Sequence, residues 1–158
     1  MHLQQKRMIG HGAVIMILGL LSGFGLVMSL IGGFEVWPGN IVEFTIPGDS
    51  GAWARAHSGG LMNGLMIILG AFVIQGLALP EKAAGQVTWM LIGAGYANTM
   101  FYYGAILSQT RALTFGDNRF GETSVAGVLG FAPALVFAVI TIIAFAIIAK
   151  HAFASSEH

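Results

Sequence analysis

Residues 9–33 read IGHGAVIMILGLLSGFGLVMSLIGG, without one formal charge, and that run decides the fold. About 20 apolar residues carry a helix across the hydrocarbon of a bilayer, so this stretch is long enough to span. The segment before it, MHLQQKR, is short, polar and basic. A basic start ahead of an apolar run also begins secretory leaders. Here the run exceeds a leader's apolar core and lacks a small-x-small cleavage pattern, so it reads as a retained first helix. Gly19 and Gly23 within it form a small-xxx-small pair, which lets helices approach closely in lipid.

Three further apolar runs follow. The second covers about 57–79 and stops at Pro80, the third covers 87–107, and the fourth covers 125–149 with Pro133 as a kink and Lys150 at its end. Composition agrees: of 158 residues, 56% are hydrophobic and 9% charged, with mean hydropathy +0.78. Soluble domains carry about a quarter charged residues. The expectation is an all-α membrane protein with four transmembrane helices per subunit, in one domain over residues 1–158. Between the first two runs, Pro38-Gly39 and Pro47-Gly48-Asp49 are turn signals flanking a short extended piece, Ile41 to Ile46. Residues 108–123 form a second long connection.

Charge excludes some functions and weakly orients the rest. A net charge of zero gives no basic patch for nucleic acid. No cysteine is present, which rules out disulfides, thiolate metal sites and covalently attached haem. Lys6, Arg7, Lys82 and Lys150 share one side of the expected topology, against Arg55, Arg111 and Arg119 on the other. The positive-inside rule then puts both termini in the cytoplasm, in a bacterial inner membrane.

The chemistry-bearing residues concentrate in two runs. Trp53-Ala54-Arg55-Ala56-His57-Ser58-Gly59-Gly60-Leu61-Met62-Asn63-Gly64 sets a histidine at the mouth of the second apolar run and an amide deeper in it. His11 and His151 belong to the opposite membrane face, about 30 Å away, so neither can share a metal with His57 in one chain. His57 and Asn63 are separated by about 120° and 9 Å on a helix. One copy of that helix cannot grip both faces of a flat macrocycle, whereas two copies can. This geometry predicts an oligomer with cofactor at the subunit interface. In the third run, Ala94, Asn98 and Tyr102 share a face.

Bland readings stand beside these. A histidine at a helix mouth is often solvated, Asn63 and Asn98 suit interhelical hydrogen bonds, and Tyr102 and Tyr103 suit an interfacial aromatic belt. Arg55 suits a haem propionate and equally Glu43 or Asp49.

These residues closely resemble the styrene oxide isomerase family, small integral-membrane enzymes of styrene degradation. The resemblance is carried by Gly10-His11-Gly12, Gly32-Gly33-Phe34-Glu35, Glu43-Phe44, Trp53 to Gly59 with Asn63-Gly64, Ala97-Asn98, Phe101-Tyr102, and Leu113-Thr114-Phe115-Gly116 with Asn118 and Phe120-Gly121. It implies a trimer of four-helix subunits with haem b at each interface, His57 as axial ligand, and Asn63 and Tyr102 nearest the substrate. It also implies Lewis-acid (Meinwald) isomerisation of styrene oxide and other aryl epoxides to aldehydes such as phenylacetaldehyde, with ferric iron and no net redox change. Arg55 and Asn98 join His57 as expected cofactor contacts. An epoxide-producing monooxygenase is the expected functional neighbour. One departure is Ala94, where the family pattern has a carboxylate. The alternatives are a membrane haem protein for electron transfer or gas sensing, and a packing or transport subunit without cofactor.

Overall fold

The computed structural model describes residues 3–154. The chain runs through α1 (Leu3–Ile31), β1 (Gly33–Trp37), β2 (Asn40–Glu43), α2 (Ser50–Gly76), α3 (Glu81–Ile106) and α4 (Val125–Ala154). Three of the helices, α1, α2 and α4, are long and apolar enough to cross a membrane. The expected third span, α3, is 26 residues long, about 39 Å at 1.5 Å per residue, but it carries Gln86, Thr88, Asn98 and Thr99. It packs against α1, α2 and α4, and two of these polar groups, Thr88 and Asn98, find partners on neighbouring helices. Thr88, for instance, donates to the Met8 sulfur at 3.4 Å.

Close approach is built from glycine. A Cβ at Gly60 would fall 2.6 Å from the Gly19 Cα, and one at Gly64 would fall 2.7 Å from the Gly12 carbonyl. So α1 and α2 lie backbone to backbone and antiparallel. Gly104 and Gly130 do the same for α3 and α4, where a Cβ at Gly104 would sit 2.7 Å from the Ala126 carbonyl. Such contacts replace the hydrophobic drive that helices lack in lipid. The main core joins Met8 and Ile15 of α1 to Ile67 and Ile74 of α2 and to Val87 and Leu91 of α3. In contrast, α4 buries only Gly127, Gly130 and Ala144. The remaining surface of α4 is apolar, which a bilayer or a neighbouring subunit can cover.

One boundary differs from the hydropathy reading in a way that matters. Helix α2 starts at Ser50, not at His57. Asp49 accepts a hydrogen bond from the Ala52 amide at 2.6 Å, the N-cap arrangement that nucleates a first turn. Trp53 adds a tie, its indole donating to the Pro47 carbonyl at 2.9 Å. His57 therefore sits two turns inside a helix rather than at its mouth. Helix α4 is capped similarly, by Ser124 accepting from the Gly127 amide at 3.1 Å. Of the extended piece expected at Ile41 to Ile46, residues 41–43 lie in β2, paired antiparallel with β1, while 44–46 are not strand.

Candidate functional site

Helix α2 presents its polar residues to different neighbours. His57 faces α1, where its Nδ1 lies 2.9 Å from the Gly19 carbonyl oxygen. Glycine at position 23 clears the ring's path, since a Cβ there would come within 3.0 Å of that nitrogen. A carbonyl can only accept, so Nδ1 carries the proton. Nε2 of the neutral ring then holds the lone pair, and no partner for it occurs among the described residues. This backbone tether is how proteins fix the tautomer and orientation of a ligating imidazole. Among the described residues no three His, Cys, Asp or Glu side chains gather.

Asn63 faces α3 instead. It is buried, donates to the Gly59 carbonyl at 2.8 Å and accepts from the Asn98 amide at 3.0 Å. Both expected site amides are therefore one interhelical pair within a single chain. Ala94, a turn before Asn98, is buried at 1% exposure. A carboxylate there would be packed against the core without a charged neighbour on its own helix turn, a costly placement unless neutralised.

The three tyrosines divide by their hydroxyl groups. Tyr96 meets His11 Nδ1 at 2.9 Å, toward the terminal end of the bundle. Tyr103, unassigned by sequence, reaches α1, with its hydroxyl 3.0 Å from Ser22 Oγ and donating to the Leu18 carbonyl at 3.3 Å. Tyr102 lies across Gly59, whose missing side chain makes room for the phenol, and packs edge-on against Phe101 at 5.6 Å. Its hydroxyl has no hydrogen-bond partner among the described residues. Half-buried and unpaired, that hydroxyl is available to a ligand.

Tyr102 and Arg55 line one cavity of about 190 Å³, together with Ala52, Phe101, Arg111 and Leu113. An adjoining space of about 430 Å³ shares Ala52 and Arg111 and extends to Asp49 and Phe120. Arg111 was not singled out by sequence. Its φ of 57° turns the chain so that the guanidinium lies 4.4 Å from the Phe120 ring and 3.8 Å from the Asp49 carboxylate. Asp49 thus pairs with Arg111, while Arg55 stays exposed at the cavity wall. The Leu113 to Gly121 segment is held by Asn118, which donates to the Thr110 carbonyl and to Thr114 Oγ1 and accepts from the Phe120 amide. Glu35 and Glu43, the acids nearest by sequence, lie exposed on the β-hairpin.

The structure therefore brings Tyr102 together with Arg55, and Asn63 with Asn98. It keeps His57 apart from both, on the α1 flank. At about 100° per residue, His57 and the Gly59 that Tyr102 covers point some 160° apart around α2.

A family model described as styrene oxide isomerase matches residues 4–153. A styrene-oxide isomerase of Pseudomonas fluorescens is 42% identical over 155 residues, covering 98% of this chain and 92% of that relative.

Proposed function

The chain belongs to the styrene oxide isomerase family and is an isomerase, and on that premise we propose that it converts styrene oxide and related aryl epoxides to aryl aldehydes with haem b as cofactor. On the substrate, the bond between oxygen and the benzylic carbon breaks. A hydride then moves from the terminal carbon, which keeps the oxygen, to the benzylic carbon, and the terminal carbon and its oxygen become the aldehyde carbonyl. No atom leaves and no electron is gained, so no reductase is required.

One observation carries the cofactor part of this reading. His57 has Nδ1 tied to the Gly19 carbonyl and Nε2 free, which suits a residue that would hold a haem iron. When bound, ferric haem would supply a Lewis acid to the epoxide oxygen. The chain's own residues do the rest. The unpaired Tyr102 hydroxyl is placed to hydrogen-bond an epoxide oxygen, and its ring and Phe101 offer π faces to a benzylic cation, worth about 0.5–2 kcal/mol. Asn63, anchored by Asn98, fixes the wall behind them. Apolar walls from Ala52, Phe101 and Leu113 keep out water that would trap the cation as a diol. Arg55, exposed beside Tyr102, suits a propionate carboxylate.

The opposed flanks of His57 and Tyr102 support an oligomer in which His57 of one subunit would hold the cofactor and Tyr102 of its neighbour would meet the substrate. The bilayer is the bacterial inner membrane, with both termini cytoplasmic.

The test uses protein purified in detergent from haem-sufficient cells. We expect a Soret band and conversion of styrene oxide to phenylacetaldehyde. In His57→Ala both should be lost while helix content and assembly remain. A colourless preparation that still isomerises removes the haem, and a red one inert toward aryl epoxides removes the reaction.

A further inference from the structure

The β-hairpin after α1 is amphipathic, and no described residue of its own subunit covers its apolar face. The register pairs Phe34 with Val42 and Glu35 with Ile41, and a bulge between Glu35 and Trp37 sets Trp37 opposite Asn40. Paired residues share a face, and strand residues alternate. One face thus carries Phe34, Val36, Trp37 and Val42, with Asn40 beside Trp37 at the turn. The other carries Glu35, Ile41 and Glu43. The four apolar side chains are 43%, 57%, 73% and 51% exposed, respectively. Only Gly33 of the two strands is buried.

We propose that this hairpin lies on the membrane surface, with Phe34, Val36, Trp37 and Val42 in the lipid headgroup region and Glu35 and Glu43 toward water. Three observations choose lipid as the occupant, given that α1 spans the bilayer. First, depth: Gly33 begins β1 two residues after α1 ends at Ile31, and the Phe44 amide donates to the Gly32 carbonyl at 3.0 Å, closing the hairpin onto the helix end. The hairpin therefore hangs where the span leaves hydrocarbon. Second, continuity: Val27, Leu30 and Ile31 on the last turns of α1 are exposed, so the apolar strip runs from helix to hairpin unbroken. Third, chemistry: tryptophan and phenylalanine suit the interface, and amphipathic elements lie there with the apolar face down. The acidic face is held for water. Glu35 already accepts from the Gly39 amide at 2.7 Å, which stiffens the turn, and neither glutamate meets a basic partner among the described residues. With no cation on the hairpin, insertion is apolar and requires no anionic lipid.

A chain without cysteine makes the test direct, because any introduced cysteine is unique. Phe34→Cys, Trp37→Cys, Glu35→Cys and Glu43→Cys are each made in the full chain, nitroxide-labelled and reconstituted in phosphatidylcholine vesicles. Helix content by circular dichroism and assembly size, each matching the parent's, qualify each variant as folded. Power saturation with oxygen, which partitions into lipid, and with a water-soluble nickel chelate then reads depth. We expect labels at positions 34 and 37 to be oxygen-accessible and shielded from nickel, and labels at 35 and 43 to show the reverse. Added salt should leave the pattern unchanged. Nickel access at all four positions overturns the proposal in favour of a hairpin standing in water. Shielding of 34 and 37 from both reagents, with dipolar broadening between labels, overturns it in favour of a second copy of the chain. Loss of isomerase activity in the unlabelled parent would fault the proposed reaction and leave the depth measurement readable.

Discussion

At the scale of single residues, the two adjacent tyrosines differ in whether their hydroxyl groups are paired. Tyr102 and Tyr103 follow one another in the chain, yet one hydroxyl is unpaired beside a cavity and the other is bonded to α1. Tyr102→Phe keeps the ring and its contact with Phe101 but removes the donor. Isomerase turnover should fall on the order of 10²-fold, the cost of one lost donor to a developing oxyanion, with Soret absorbance unchanged. Tyr103→Phe should do the opposite, lowering unfolding stability by about 1 kcal/mol with turnover nearly intact. Steady-state kinetics and thermal melts of both variants distinguish the roles, and equal kinetic losses would sink the assignment. From the sequence, only the family resemblance set Tyr102 near the substrate, and an aromatic belt stayed open for both, because which way a phenol points depends on the rotation of α3 against two neighbours. The amides were similarly ambiguous. The Asn63–Asn98 bond makes them partners within the chain, whatever either does toward substrate.

At the scale of elements, the pairing of α1 with α2 governs the histidine. The Gly19 carbonyl that orients His57 lies where the Gly60 backbone touches α1. Gly60→Ala would drive its Cβ to 2.6 Å from the Gly19 Cα, so the helices must separate. Overpacking of this kind costs about 1–3 kcal/mol. The variant should melt earlier in detergent, and its haem-derived absorbance should weaken because the tether of the imidazole is displaced. Unchanged absorbance with a normal melt would show that this contact is not close in the assembled protein. Sequence flagged Gly19 with Gly23 as a packing pair, and one of the two does meet a glycine. Gly23 instead clears the histidine ring. The start of α2 was misplaced because the apolar run was read from His57, while the Asp49 cap starts the helix at Ser50 and carries it past Arg55, the charge that ended the run.

For the whole molecule, the separation of His57 from Tyr102 has a consequence for assembly. If the reacting centre forms between subunits, an intact one needs His57 from one chain and Tyr102 from the next. Co-assembly of His57→Ala subunits with Tyr102→Phe subunits should therefore give more activity than the sum of the two separate assemblies. Activity no higher than that sum would place both residues' work within one chain. The nearly unburied α4, with its apolar surface, is consistent with a subunit that finishes its packing outside itself, against lipid or a neighbour.

The apolar runs determined on their own that this chain is helical and membrane-compatible, because transfer of uncharged segments into hydrocarbon depends on composition and length rather than on neighbours. The ordered motifs likewise made the family readable, and the match over residues 4–153 bears that out. Only the tertiary structure decided which polar groups meet. The tautomer of His57, the pairing of Asn63 with Asn98, the free hydroxyl of Tyr102 and the ion pair of Asp49 with Arg111 each depend on how two or more elements rotate about their axes. Spacing along one helix gives the direction of a side chain relative to that helix. What stands in that direction is set by glycine contacts between helices that lie far apart in the chain.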